Sequence, residues 1–120
     1  MVPGSAHSTH LCGNAQRFFP VMEKELNTKT FDTGFPVDFG KLYDDLSPDV
    51  CIYGGPHIAL LKEGTPQEIE TEVKRILGSG VMEKSKRFVL RDGNEVAPLT
   101  PLENINAVYA ACEKYGYYNN

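Results

Sequence analysis

The chain has 120 residues, 41% of them hydrophobic and 23% charged, with a formal net charge of −4 and a pI near 5.3. These values describe one ordinary globular domain and exclude a disordered chain. The acidic balance withholds the basic surface that nucleic acid or an anionic membrane requires. Lys84, Lys86 and Arg87 make the one basic cluster and read as a solvated loop before a strand. The sequence holds no apolar run of the roughly 18 residues that a membrane span needs. Residues 1–6 are small and polar, lack the basic and apolar regions of a signal peptide, and read as a tail to a single domain over 7–120. Cys12, Cys51 and Cys112 are odd in number and widely spaced, with no CxxC. That pattern argues against a disulfide framework and for a reducing cytoplasm.

Along the chain, residues 5–12 predict a strand that ends at Gly13-Asn14. A helix follows over about 15–26, with Phe18, Phe19, Met22 and Leu26 as its apolar side and Pro20 as a kink or a shifted start. Residues 28–31 are β-prone and end at Asp32-Thr33-Gly34. A short helix is expected over 37–46, carrying Phe39, Leu42, Tyr43 and Leu46. Val50-Cys51-Ile52-Tyr53 is a continuous apolar run, the pattern of a strand buried on both faces, and Gly54-Gly55-Pro56 closes it.

Thr65-Pro66-Gln67-Glu68 is a capping box, with Thr at the cap, Pro at the first helical position and Glu three residues after the cap. Ile69, Val73, Ile76 and Leu77 then fall on one helical stripe, and Gly78 and Gly80 suit its end. Phe88-Val89-Leu90 predicts the fourth strand. Thr100-Pro101-Leu102-Glu103 repeats the capping pattern ahead of a last helix, whose expected buried stripe is Ile105, Val108, Tyr109 and Cys112.

Four strand-then-helix units in succession specify a parallel α/β architecture, half of an eight-fold β/α barrel. Neither GxGxxG nor GxxxxGK[ST] occurs, so dinucleotide and P-loop chemistry find no support. Such a sheet cannot cover both its faces or its two edges. The chain is therefore expected to close on a second copy, as a homodimer, or on a missing N-terminal half-barrel, and a non-catalytic module that only packs on such a partner is the alternative to an enzyme.

Barrel chemistry sits at the C-terminal ends of the strands. Four turns qualify: residues 10–14, 32–35, 54–57 and 92–95. His10 and Cys12 stand two apart on a strand and so face the same side, where an imidazole and a thiolate can hold a thiophilic metal such as zinc. Two ligands fall short of a site, and a hydrogen-bonded histidine beside a small buried cysteine is the competing account. His7 is a further donor type but faces the opposite side of a regular strand. The other rim candidates are Asp32, His57 and Asn94, each with a plain turn or cap role as its alternative.

His10-Leu11-Cys12-Gly13-Asn14 resembles the HxCG segment of the uroporphyrinogen decarboxylase superfamily, most closely its corrinoid-dependent methyltransferase branch. Gly64-Thr65-Pro66-Gln67-Glu68-Ile69-Glu70 resembles that superfamily's GTPEEV helix start. The segment from Asp92-Gly93-Asn94 through Pro98-Leu99-Thr100-Pro101-Leu102-Glu103-Asn104 resembles its final G-x-x-x-P-x-TP-x-EN stretch. The resemblance implies the C-terminal half of a (β/α)8 barrel and one of two activities. One is zinc-dependent transfer of a methyl group from a methyl-corrinoid, carried by a corrinoid protein, to a thiol. The other is cofactor-free decarboxylation of a tetrapyrrole. It assigns His10 and Cys12 as zinc ligands. It places Asn94, a poor ligand, where the branch has a third-ligand cysteine. The decarboxylases' essential aspartate and arginines belong to an N-terminal half that this sequence does not contain.

Overall fold

The computed structural model describes residues 4–93 and 95–118. Four strands, β1 (His7–Leu11), β2 (Thr28–Thr33), β3 (Cys51–Gly54) and β4 (Phe88–Leu90), form one parallel sheet in the order β1-β2-β3-β4. The helices between them are α1 (Phe19–Leu26), α2 (Leu42–Asp45), α3 (Ile58–Glu63), α4 (Pro66–Ile76) and α5 (Met82–Lys84), and α6 (Leu102–Tyr115) closes the chain. The body measures 44 × 35 × 21 Å, a slab two layers thick. No helix of the described residues is long and apolar enough to cross a membrane.

Alternation along the strands decides which layer is covered. Phe31, Thr33, Ile52, Gly54 and Phe88 are buried under the helices. Phe19 stacks on Phe31 with ring centroids 4.5 Å apart, and Phe39 meets Phe88 edge-on at 5.7 Å. The opposite face carries Ser8, His10, Thr30, Asp32, Cys51, Tyr53 and Val89, and not one of these is buried. The apolar run at β3 is therefore covered on one side only. Ile52 is buried, while Cys51 and Tyr53 on the opposite face are half-buried.

Helix starts follow local chemistry. At α4 the Thr65 hydroxyl accepts from the Glu68 amide at 3.2 Å, and the Thr65 amide donates to the Glu68 carboxylate at 2.8 Å. This capping box drives Ile69, Val73 and Ile76 fully into the core. The matching pattern at Thr100 does not cap α6. That helix begins one residue later, with Pro101 at the cap position, and the Thr100 hydroxyl turns back to donate to the Ala97 carbonyl at 2.7 Å.

Other expectations need correction too. Pro20 sits at the start of α1, after a 3-10 turn over Gln16–Phe18, so Phe18 and Leu26 are exposed while Phe19 is buried. The helix expected over 37–46 is cut to α2 because turns occupy the residues before it. α3, unforeseen, fills the span after β3. Past Ile76 the helix widens through a π-turn over Leu77–Val81, with Gly80 at φ 114°. On α6, Asn104 and Ala111 are buried and Tyr109 is 69% exposed, so the expected stripe belongs to an open flank.

Tyr43 ties α2 to the start of β3, its hydroxyl donating to the Val50 carbonyl at 2.9 Å. Burial pushes this phenol up to about 12. Its contribution is complete below the ordinary tyrosine value near 10 and is lost as pH rises through 12, because the unfolded chain ionises first. Urea unfolding at about pH 8 and about pH 11 should show a loss of about 1.4 kcal/mol that Tyr43→Phe removes.

Candidate functional site

The C-terminal ends of the four strands are drawn together by glycines. A Cβ on Gly34 would lie 2.8 Å from the Cys12 Cα, so the turn after β2 closes directly on the turn after β1. A Cβ on Gly55 would lie 1.5 Å from the Arg91 carbonyl oxygen, and one on Gly93 would lie 2.8 Å from that of Pro56. Backbone hydrogen bonds from Arg91 to Gly54 (3.0 Å) and from Gly93 to Pro56 (2.8 Å) fasten the same turns. The expected convergence on one rim is present where it can be described, and close backbone approach produces it.

On this rim the parallel register sets His10 beside Asp32, and Asp32 beside Tyr53. His10 Nδ1 donates to Asp32 Oδ2 at 2.9 Å. A neutral imidazole that donates from Nδ1 presents a lone pair at Nε2, and Cys12 Sγ stands 3.2 Å from that nitrogen. From β4, Arg91 donates to the same Asp32 Oδ2 at 3.1 Å and through Nε to Asp92 Oδ1 at 3.0 Å. Hydrogen bonding to Asp92, opposed by burial and aided by the charges of Asp92, Asp32 and Glu95, holds the guanidinium above its ordinary value. Asp32 Oδ1 is buried and has no hydrogen-bond partner among the described residues.

The sequence candidates thus divide. His10, Cys12 and Asp32 form one constellation. His57 stays apart from it, stacked on Phe35 with ring centroids 4.0 Å apart at the start of α3. His7 lies at the far end of β1. Asn94 lies outside the described residues. Arg91 was not foreseen. Its signal is its place two residues beyond Val89, on the same side of the strand and at the strand's C-terminal end.

His10 Nε2 and Cys12 Sγ fit zinc as two of its donors, and a carboxylate behind the second imidazole nitrogen is the usual support of a metal-binding histidine. Among the described residues no three His, Cys, Asp or Glu side chains are arranged to hold a metal ion. A further donor would have to come from outside this set. Beside Arg91 and Asp92, a cavity of about 370 Å³ opens between β4 and α6, lined by Leu90, Val96, Ile105 and Tyr109.

The family model for uroporphyrinogen decarboxylase matches residues 3–115. No curated protein sequence matches the chain. Among solved structures, a methyltransferase from Methanosarcina mazei is similar with a TM-score of 0.75 and 23% identity. The match covers 95% of this chain and 32% of that one, so this chain spans about a third of the methyltransferase's length.

Proposed function

The chain belongs to the uroporphyrinogen decarboxylase family, and from that premise we propose that it carries the thiol-activating part of a methyl-transfer site. The acceptor is a thiol, the donor a methyl-corrinoid on a corrinoid protein, and the setting the reducing cytoplasm, where Cys12 stays a thiol. The observation that carries this reading is the meeting of His10 Nε2 and Cys12 Sγ at 3.2 Å, with Asp32 behind the imidazole.

His10 and Cys12 would hold a zinc ion, which when bound lowers the pKa of a thiol that joins it, so that the thiolate exists near neutral pH. The protein's own residues prepare for this. Asp32 holds the Nδ1 proton and leaves Nε2 as a donor atom. Gly34 lets the neighbouring turn press against Cys12 and fix its backbone. Arg91 offsets the carboxylate charge so that the rim does not repel an anionic acceptor.

The decarboxylase reading shares the family but has less support here. A decarboxylase must anchor substrate carboxylates, and Arg91 is already engaged by Asp32 and Asp92. Activity that appears only on mixing with a separate N-terminal half, and without metal, would favour it.

Both readings need the barrel completed. Large apolar side chains are exposed on and beside the first and last helices: Phe18, Val21 and Leu26 around α1, and Val96, Leu102 and Tyr109 around α6. We propose that an N-terminal half-barrel covers them, as the one-third coverage of the solved neighbour suggests.

Zinc titration with elemental analysis tests the function, and solution mass from the same sample tests the assembly. We expect one zinc per chain, lost in Cys12→Ser with the far-ultraviolet circular dichroism unchanged. Absence of bound zinc, with or without an added N-terminal half, would overturn the methyl-transfer reading. A doubled mass would make a second copy the covering partner.

A further inference from the structure

We infer that Arg91 is a positioning residue for the His10–Cys12 pair and acts through Asp32. The inference deepens the methyl-transfer reading and rests on it where zinc is the probe.

Three strands contribute to one line of contacts. Arg91 follows β4, Asp32 sits on β2 and His10 on β1, and β3 passes between Asp32 and Arg91 with Tyr53 on the same face. A contact that skips a strand needs a long side chain, and the guanidinium spans it by reaching Asp32 with one nitrogen and Asp92 with two others. Asp92 adjoins Arg91 in the chain and fixes its far side. The guanidinium is thus clamped, and it clamps Asp32 in turn.

The geometry at Asp32 makes this consequential. Arg91 and His10 both bond Oδ2, while Oδ1 makes no hydrogen bond among the described residues. A carboxylate with two acceptor atoms gains by turning so that each takes one donor. Arg91 opposes that rotation by fixing Oδ2 in the position where His10 meets it. His10 then keeps its proton on Nδ1, and its Nε2 lone pair points at Cys12. Without the guanidinium Asp32 can turn, the imidazole loses its fixed tautomer and tilt, and the donor pair is no longer prearranged.

Lysine separates clamp from charge. It keeps the positive charge, but its donors all radiate from one nitrogen and cannot hold two carboxylates in a planar fork. Arg91→Lys should therefore behave like Arg91→Gln.

The experiment has two readouts on the intact chain. The first is Zn(II) affinity by competition with a chromophoric chelator. Asp32→Asn should weaken binding about 10- to 100-fold, and Arg91→Gln about 3- to 10-fold. The double variant should match Asp32→Asn alone, because two residues that act through one contact do not add. The inference is overturned if Arg91→Gln binds zinc like the wild type, if the double variant shows the product of the two losses, or if Arg91→Lys restores affinity.

The second readout needs no metal. Side-chain ¹⁵N spectra of His10 at about pH 8, where histidine is neutral, should show the Nδ1–H tautomer in the wild type and a mixture in Asp32→Asn and Arg91→Gln. A wild type that binds no zinc ends the methyl-transfer reading but leaves this comparison standing. An unchanged single tautomer in both variants would end the positioning role by itself. A merely structural role would lower thermal stability and move neither readout.

Discussion

Asn104→Asp is expected to destabilise the fold by about 3–5 kcal/mol. Asn104 is 1% exposed, and its Nδ2 donates to the carbonyls of Leu61 and Gly64, both at 2.8 Å. Those carbonyls lie at the C-terminal end of α3, where a helix leaves its last acceptors without intrahelical donors. One side chain on α6 therefore completes α3 and joins the two helices. A carboxylate of the same shape removes both donors and sets negative charge against two carbonyl dipoles. Asn104→Leu should cost less, about 2–3 kcal/mol, because it strands the same acceptors without adding charge. A domain of this size has about 5–15 kcal/mol in total, so the aspartate variant should be partly unfolded at 37 °C. Urea unfolding followed by circular dichroism measures both. Equal stability of the aspartate variant and the wild type would show that the carbonyls are satisfied some other way.

Gly55→Ala should be nearly as damaging, and it should reach the site. The added methyl would fall 1.5 Å from the Arg91 carbonyl oxygen, a backbone atom that cannot swing aside. The ends of β3 and β4 must separate, at the expense of the Arg91 to Gly54 hydrogen bond. A cost of about 3 kcal/mol is expected from overpacking with the loss of a ladder bond. Because the same displacement carries Arg91 away from Asp32, zinc affinity should fall along with stability. Gly78→Ala is the control. Nothing lies within 4 Å of a Cβ there, so it should leave zinc affinity unchanged and stability equal or up to about 1 kcal/mol higher.

The order of elements was legible in the sequence because hydrophobic runs and glycine turns alternate at βα spacing. The Thr65 capping box was legible because cap, proline and glutamate are local and mutually reinforcing. The identical letters at Thr100 misled, since a hydroxyl can satisfy itself on a carbonyl behind it as readily as on an amide ahead. α3 escaped notice because Ile58–Glu63 is too short to establish a period. Tyr109 was misplaced for a different reason. Periodicity names the apolar side of a helix, but whether that side finds a partner depends on which elements pack against it.

The site divides in the same way. His10 and Cys12 were legible through strand alternation alone. Asp32 looked like a turn residue because its partner His10 is 22 positions away, and Arg91, 59 positions from Asp32, gave no local sign of the contact. Register brings these groups together, and register is a property of the sheet.

The strand order has a consequence for how the molecule forms. Every strand lies next to the one made just before it, so a growing chain always finds its next neighbour already laid down. Assembly can then keep pace with synthesis from the amino end. Arg91 and Asp92 arrive after His10 and Asp32, and the His10–Asp32 pair awaits its lock until the fourth strand is in place.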